Sequence, residues 1–179
     1  MTTQEQWTRL YELYKDSDFA SLSLSLSDVG VNVIEKYGST VVYDYTRFFN
    51  GSRNTSKDLT GMVGFSLIDF TKPSVILTEG ISDFLTLKSF RNDLNVIGRT
   101  RLSLSQKQHF ILTKYFSNFV VVMDNDLTGL KNGMNLSSKL HNVKLLKPPY
   151  PYKDITEFLL NSDEQDCNNF LNSIERCYQ

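Results

Sequence analysis

Two apolar runs that end in carboxylates constrain this sequence more than any other feature. Residues 74–83 read Ser-Val-Ile-Leu-Thr-Glu-Gly-Ile-Ser-Asp, and residues 119–129 read Phe-Val-Val-Val-Met-Asp-Asn-Asp-Leu-Thr-Gly. A short continuous apolar run is typical of a strand that is buried on both faces. Open α/β folds bind their ligands at the carboxyl ends of parallel strands. The acidic residues that follow the two runs are therefore predicted to meet at one edge of a sheet.

The carboxylates at these strand ends, Glu79, Asp124 and Asp126, would oppose folding if nothing neutralised them. At ~4 Å and an effective dielectric constant of ~20, each like-charge pair costs roughly 4 kcal/mol. A divalent cation removes this repulsion, and hard oxygen ligands completed by water are what magnesium prefers. The pattern predicts a metal site. The alternative for Asp124 and Asp126 is an Asp-Asn-Asp turn whose carboxylates only cap the next helix.

The hydrophobic pattern alternates between strand and helix from residue 73 to residue 160. It predicts strands at 75–78, 96–98, 119–123 and 143–146, and helices at 81–90, 105–115, 129–140 and 154–160. This alternation favours right-handed crossovers. It therefore predicts an α/β fold with a mostly parallel central sheet flanked by helices.

The pattern on either side of this region is less regular. The upstream part is predicted to contain helices at 4–15 and 27–38, a strand at 41–45 and an exposed loop at 50–58. The strict Ser-Leu alternation of residues 21–27 fits either a strand or a loose linker. The last segment, 161–179, is predicted to be an acidic helix.

Charge is unevenly distributed along the chain, although the net charge is only -1. The segments 94–123 and 131–153 carry four and five Lys or Arg residues, respectively, and no acids. A basic middle around an acidic metal site suits a polyanion whose phosphates bridge the metal. An ordinary solvated surface explains the same charges equally well. The two cysteines, Cys167 and Cys177, lack metal-ligand spacing, so a zinc site is not expected.

Two acidic motifs, Glu79-Gly80-x-x-Asp83 and Asp124-x-Asp126-x-x-Gly129, each following a strand, together resemble the Toprim domain. Bacterial-type primases, topoisomerases, certain nucleases and a recombination mediator share this domain. The resemblance covers about residues 73–160. It implies a Toprim fold, with a small N-terminal α+β lobe over residues 1–72 and a C-terminal acidic helix or tail over 161–179.

Among these families, the chain is most similar to the RNA-polymerase core of bacterial and phage primases. Residues 153–159, Lys-Asp-Ile-Thr-Glu-Phe-Leu, resemble the Lys-Asp-x-Asn-Glu-aromatic-Leu segment that follows the Toprim fold in those enzymes. The resemblance implies magnesium-dependent (or manganese-dependent) nucleotidyl transfer that makes short RNA primers on single-stranded DNA. The implied substrates are ribonucleoside triphosphates and the template. A helicase or a zinc-binding template-recognition protein is an implied partner, and the implied setting is the cytoplasm of a bacterium or an infected host cell.

The resemblance also implies roles for individual residues. Glu79, Asp124 and Asp126 would be catalytic and would hold the metal, and Asp154 would be an outer ligand. Three further residues would orient these ligands: Gly80, Asp83 and Gly129. Four cations would contact nucleotide and nucleic acid: Arg99, Arg101, Lys131 and Lys153. Asp83 fits stabilisation of a helix N-terminus equally well. Lys153 and Asp154 also fit an exposed helix start.

Two other functions remain open at this point. A Toprim nuclease would run the same phosphorus chemistry with water as the nucleophile. A non-catalytic module would use the fold only to bind nucleic acid or a partner. No apolar run approaches the ~20 residues of a membrane span, so no membrane association is expected.

Overall fold

The computed structural model describes residues 1–17, 19–101 and 103–179, whose strands form two sheets. The first sheet is antiparallel, in the order β1-β2-β3-β4, with β1 at Leu22–Leu26, β2 at Gly30–Tyr37, β3 at Thr40–Phe48 and β4 at Arg53–Asp58. Helix α1, Thr3–Tyr14, contributes Trp7, Leu10 and Tyr14 to the core beside this sheet. We refer to this sheet and α1 as the lobe; its core is continuous with one side of the second sheet.

The second sheet is mostly parallel and carries the acidic motifs. Its order is β5-β7-β6-β8-β9, with β5 at Met62–Val63, β6 at Ser74–Thr78, β7 at Val96–Arg99, β8 at Asn118–Val122 and β9 at Val143–Leu146. Only β5 runs antiparallel, against β7. The helices are α2 at Ile81–Phe90, α3 at Gln106–Tyr115, α4 at Leu127–Lys139, α5 at Ile155–Asn161 and α6 at Glu164–Tyr178.

The two central strands of this sheet are buried on both faces, as the apolar runs predict. Every residue of β6 is buried, and its side chains alternate between two core clusters. Ile76 packs on the side that holds α1, α2, α5 and α6, whereas Val75 and Leu77 pack on the side that holds α3 and α4. The acidic edge therefore lies at the end of a strand that is packed on both faces.

The helix predicted at residues 27–38 is wrong. This segment forms strand β2, which pairs with both β1 and β3. Val31, Val33 and Glu35 are buried on one face, which is a period of two rather than 3.6. The β-branched residues of this segment favour a strand, and pairing on both sides outweighs the capping signal at Ser27-Asp28.

The loop predicted at residues 50–58 is also wrong in part, because β4 occupies Arg53–Asp58. This strand lies at the edge of its sheet and only Asp58 is partly buried, so its sequence has no apolar alternation. Its turn-like composition is that of a polar edge strand. For residues 21–27, the strand alternative is confirmed by β1.

The other predicted elements are confirmed, with shifts of at most three residues at their ends. Two contacts bear on the proposed division into domains. Strand β5 precedes residue 73 but pairs with β7 of the second sheet. Helix α6 places Cys167, Leu171, Ile174 and Tyr178 in the main core. The C-terminal segment is therefore a packed helix.

Candidate metal and phosphoryl-transfer site

The predicted acidic residues lie at the carboxyl ends of the two central strands. Strand β6 ends at Thr78 and leads into Glu79, and β8 ends at Val122, two residues before Asp124. These strands are parallel neighbours, with Thr78 opposite Val122. The register therefore brings the two acidic motifs to one edge of the sheet.

The pKa of Asp124 shows that several negative charges lie close together at this edge of the sheet. It is half-buried, and burial is the main cause that raises the pKa of its carboxyl to about 7. The charges of Glu79, Asp154 and Asp126 raise this pKa further, and Lys153 lowers it. Residues from three separate loops, one of them the loop of Asp124 itself, thus influence one carboxyl.

Glu79 lies among both attractive and repulsive neighbours. Burial raises the pKa of its carboxyl, while Arg99, the side chain of Asn132 and the backbone N–H of Asp124 lower it. Its Oε1 atom is buried and has no hydrogen-bond partner among the described residues. Arg99 is itself only 3% exposed, so its charge acts on Glu79 from inside the protein.

Asp126 and Asp154 cap the helices that leave the site. Asp126 Oδ1 accepts a hydrogen bond from Gly129 N at 2.7 Å, and Asp154 Oδ1 accepts one from Glu157 N at 2.8 Å. The capping alternative is thus observed. It does not exclude metal binding, because a carboxylate has a second oxygen.

Gly129 and Gly80 differ in how tightly they are packed. A Cβ atom at Gly129 would lie 2.4 Å from the carbonyl oxygen of Asp124, so only glycine lets α4 begin against the Asp124 backbone. A Cβ atom at Gly80 would have no neighbour closer than 4.0 Å. The predicted orienting role therefore has a steric basis at Gly129 but none at Gly80.

Asp83 links α2 to α5 beneath the site. Its side chain is 5% exposed, and its Oδ1 accepts hydrogen bonds from Thr156 Oγ1 at 2.6 Å and Thr156 N at 3.2 Å. Burial and the charge of Asp154 raise the pKa of its carboxyl. Asp83 therefore does more than stabilise its own helix: it fixes the start of α5, which Asp154 caps.

Asn125 is a site residue that sequence reasoning missed. Its Nδ2 donates to the carbonyl oxygens of Pro148 and Tyr152, both at 3.1 Å, and its N–H donates to Lys153 O at 2.6 Å. It thereby ties the segment before α5 to the loop after β8. Its position between two acids was the sequence signal that could have identified it, because a side chain at that position points away from the acidic cluster.

The predicted cations do not all reach the site. Lys153 acts on Asp124 and Arg99 acts on Glu79. Lys131 is exposed on α4. Arg101 is 3.8 Å from Asp58 and lines a different cleft, together with Leu59, Phe65 and Ile111.

A cleft of about 330 Å³ separates the lobe from the acidic edge. One wall belongs to strands β3 and β4, with Tyr43, Tyr45 and Arg53, and the other includes Glu79 and Arg99. Arg53 was missed as a site residue because its segment was predicted to be a loop. The cleft has a positively charged group on each wall, and the carboxylates of Asp58 and Glu79 both line it; Asp124 and Asp126 line an adjoining pocket with Lys147.

The donor set fits a hard divalent cation. As placed, the side chains of residues 1–17, 19–101 and 103–179 include no group of three or more His, Cys, Asp or Glu that could itself hold a metal ion. However, the buried Oε1 atom of Glu79 has no partner in this part of the chain, and like charges raise the pKa of Asp124. Carboxylates that repel one another and leave an oxygen unsatisfied are the ligands that Mg²⁺ takes.

Comparison with known proteins places these motifs in a described domain. Residues 76–159 match the family model described as Toprim-like, so this part of the chain is a Toprim-like domain. No curated protein matches the sequence of the whole chain.

Solved structures share the fold over nearly all of the chain. The primase fragment of the bacteriophage T7 primase-helicase protein aligns with a TM-score of 0.68 and 16% identity, covering 95% of this chain and 73% of that one. The DnaG primase catalytic domain bound to single-stranded DNA aligns at 0.62 and 12%, covering 99% and 68%. The Aquifex aeolicus primase (zinc-binding and RNA polymerase domains) aligns at 0.61 and 20%, covering 96% and 49%. The chain therefore has a primase-like fold that includes the lobe.

None of the helices within the described residues has the length and apolar character that a membrane crossing requires.

Proposed function

We propose that this chain is the nucleotidyl-transferring core of a primase, which joins ribonucleotides on a single-stranded DNA template. The observation that carries the proposal is the cleft between the lobe and the acidic edge, in a chain whose likeness to primase structures extends over both parts. Nucleotide and template would enter this cleft. Its exposed Arg53 suits a phosphate group, since guanidinium groups bind phosphate oxygens in a bidentate manner, and the buried Arg99 adds positive potential from inside the protein.

Glu79, Asp124 and Asp126 would hold Mg²⁺ or Mn²⁺, with Asp154 as an outer ligand. When bound, the ion neutralises charge on the nucleotide phosphates and favours in-line displacement at phosphorus. Glu79 is either one of the ligands or the base that accepts the proton of the attacking 3′-hydroxyl. Both roles need an ionised carboxylate; burial raises the pKa of Glu79, and Arg99 and Asn132 offset part of this shift in favour of the ionised form.

The proposed partners follow from the same likeness. The T7 match is a fragment of a primase-helicase, the DnaG domain was solved with single-stranded DNA, and the Aquifex structure includes a zinc-binding domain. We therefore expect the partner of this chain to be a helicase or a zinc-binding template-recognition protein. The proposed location is the cytoplasm of a bacterium or an infected host cell.

Pyrophosphate release tests the proposal, because nucleotidyl transfer from a triphosphate liberates pyrophosphate and phosphodiester hydrolysis does not. The full chain would be incubated with single-stranded DNA, four ribonucleoside triphosphates and Mg²⁺ or Mn²⁺. Template-dependent release is expected for the wild type and for Asp28→Asn, which changes an exposed turn residue. Asp124→Asn should abolish it. Cleaved DNA without pyrophosphate would favour the nuclease instead.

A further inference from the structure

Asn132 is the polar member of an otherwise apolar stripe on α4. The stripe consists of Gly129, Asn132, Gly133 and Leu136, which are spaced at i, i+3, i+4 and i+7 and therefore share one helix face. Gly129 packs on the Asp124 backbone and Gly133 on the Met123 side chain. Asn132 thus lies on the face of α4 that packs closely against the residues at the end of β8.

This position brings the Asn132 side chain into direct contact with Glu79, where a hydrogen bond between the two side chains favours the charged carboxylate. The contact is looser than a normal hydrogen bond, because Asn132 Nδ2 and Glu79 Oε1 are both buried and neither has a partner at normal distance and angle among the described residues. Since buried polar atoms are normally paired, the amide and the carboxylate are each other's partners.

We propose that Asn132 is a positioning residue that orients Glu79 for metal binding, through the direct contact between its amide and the carboxylate. The inference rests on the proposed function, because it assumes that Glu79 serves a metal site. Arg99 approaches the same carboxylate with a positive charge. The amide of Asn132 is uncharged, so it can hold the Glu79 side chain in one rotamer and still leave the negative charge of the carboxylate available to a cation.

The test is a magnesium titration that follows thermal unfolding of the full chain after removal of metal with a chelator. Residues that orient metal ligands typically change metal affinity by 10–100-fold when they are replaced. Asn132→Ala should therefore raise the Mg²⁺ concentration at half-maximal stabilisation by about tenfold or more. Asn135→Ala, an exposed asparagine on the same helix, should titrate like the wild type.

A second variant separates positioning from simple packing. Asn132→Asp places a further carboxylate beside Glu79, so the metal-free protein should melt at a lower temperature and should gain more from saturating Mg²⁺ than the wild type. Asn132→Ser, which keeps a donor and is smaller, should titrate between the wild type and Asn132→Ala. A residue that only fills space would leave the Asn132→Ser midpoint at that of the wild type, whereas the effect of Asn132→Asp reports its added charge.

The outcomes distinguish the two levels of the proposal. If the wild type responds to Mg²⁺ and Asn132→Ala titrates like Asn135→Ala, the positioning role is overturned and the metal site stands. If Asn132→Ala does not fold, unchanged magnesium responses of Asn132→Asp and Asn132→Ser overturn it equally. If the wild type itself does not respond, the metal site of the proposed function fails, and the role of Asn132 fails with it.

Discussion

Asp124 is a carboxyl group whose environment works against its own charge. It is half-buried, and Glu79 and Asp154 add negative potential that Lys153 only partly offsets. A cation beside such a group favours its anionic form. A similar conflict at Glu79, with its unsatisfied Oε1 atom, shows that the mismatch belongs to the cluster rather than to one residue.

Asp124→Asn should stabilise the metal-free protein, because it removes the central charge of the cluster at nearly constant shape. A gain of roughly 1–2 kcal/mol in the free energy of unfolding is expected for a partly solvated group. The same variant should lose the stabilisation that we expect Mg²⁺ to give to the wild type, which is about 2.7 kcal/mol in the free energy of unfolding at ~100 times the dissociation constant. Chemical denaturation with and without Mg²⁺ measures both. A variant that is less stable than the wild type without metal, or that keeps the full magnesium response, would contradict this role.

Glu35 is a buried acid outside the site, at the joint between the lobe and the second sheet. It is fully buried on β2 and accepts hydrogen bonds from the backbone N–H groups of Gly64 and, at 3.5 Å, Ser66. Burial raises the pKa of its carboxyl from 4.5 to about 7, although these hydrogen bonds lower it. The folded state therefore holds this proton up to neutral pH.

The stability of the protein should depend on pH through Glu35. Between pH 4.5 and about 7, the folded state keeps a proton that the unfolded chain releases, so stability falls as pH rises through this window and stays lower above it. The loss attributed to Glu35 is about 3 kcal/mol. Glu35→Gln should flatten this part of the profile, whereas the exposed Glu164→Gln should not. Equal profiles for Glu35→Gln and the wild type, from urea unfolding at each pH, would show that Glu35 is ionised in the folded state.

At the scale of elements, the site depends on how α4 begins. The helix starts directly after the acidic loop because Asp126 caps it and Gly129 allows backbone contact with Asp124. Helix α2 starts after Gly80 without any such contact. The two strand-to-helix turns look alike in sequence, but they tolerate different substitutions.

Gly129→Ala should therefore destabilise the protein by roughly 1–3 kcal/mol, because the new methyl group would meet a carbonyl oxygen that cannot move independently of the loop. The gain in helix propensity, ~1 kcal/mol, offsets part of this cost. Gly80→Ala has open space and should change stability by less than about 0.5 kcal/mol. Comparing the denaturant midpoints of the two variants checks the difference. Equal midpoints would contradict the steric account of Gly129.

The elements differ in how far their sequences determined them. Strands β6 and β8 were predictable because burial on both faces requires continuous apolar runs. Strand β4 was not, because an exposed edge strand needs no apolar residue, and β2 was missed because cross-strand pairing overrode a local capping signal. The carboxylates of the site were found from their strand ends. Asn125, Asn132 and Arg53 were not, because their roles depend on contacts between segments far apart in the chain.

At the scale of the whole molecule, the lobe and the Toprim-like domain create a cleft that neither has alone. The lobe contributes Arg53 from an edge strand, and the second sheet contributes Glu79 and Arg99. The likeness to primase structures covers both parts. A polyanion lying in this cleft would contact the two parts at once, so affinity for it depends on their relative placement.

Arg53→Ala should weaken binding to single-stranded DNA, and the slope of log affinity against log salt should decrease by about 1, as expected when one phosphate contact is lost. Lys57→Ala changes an exposed cation of the same strand that does not line this cleft. It should have a smaller effect on both quantities. Fluorescence anisotropy at several salt concentrations measures them. Equal effects of the two variants would mean that DNA responds to the overall charge of the lobe and not to the cleft.

If the proposed function is right, the chain makes RNA on a DNA template, and one denaturing gel shows whether it does. The protein would be incubated with end-labelled single-stranded DNA, labelled ribonucleoside triphosphates and Mg²⁺ or Mn²⁺, beside Asp124→Asn and Asp28→Asn. We predict new labelled ribonucleotide oligomers with the wild type and Asp28→Asn, none with Asp124→Asn, and intact DNA in every lane. DNA that is shortened without incorporation would contradict the primase function, and oligomers that persist in Asp124→Asn would contradict the role of Asp124.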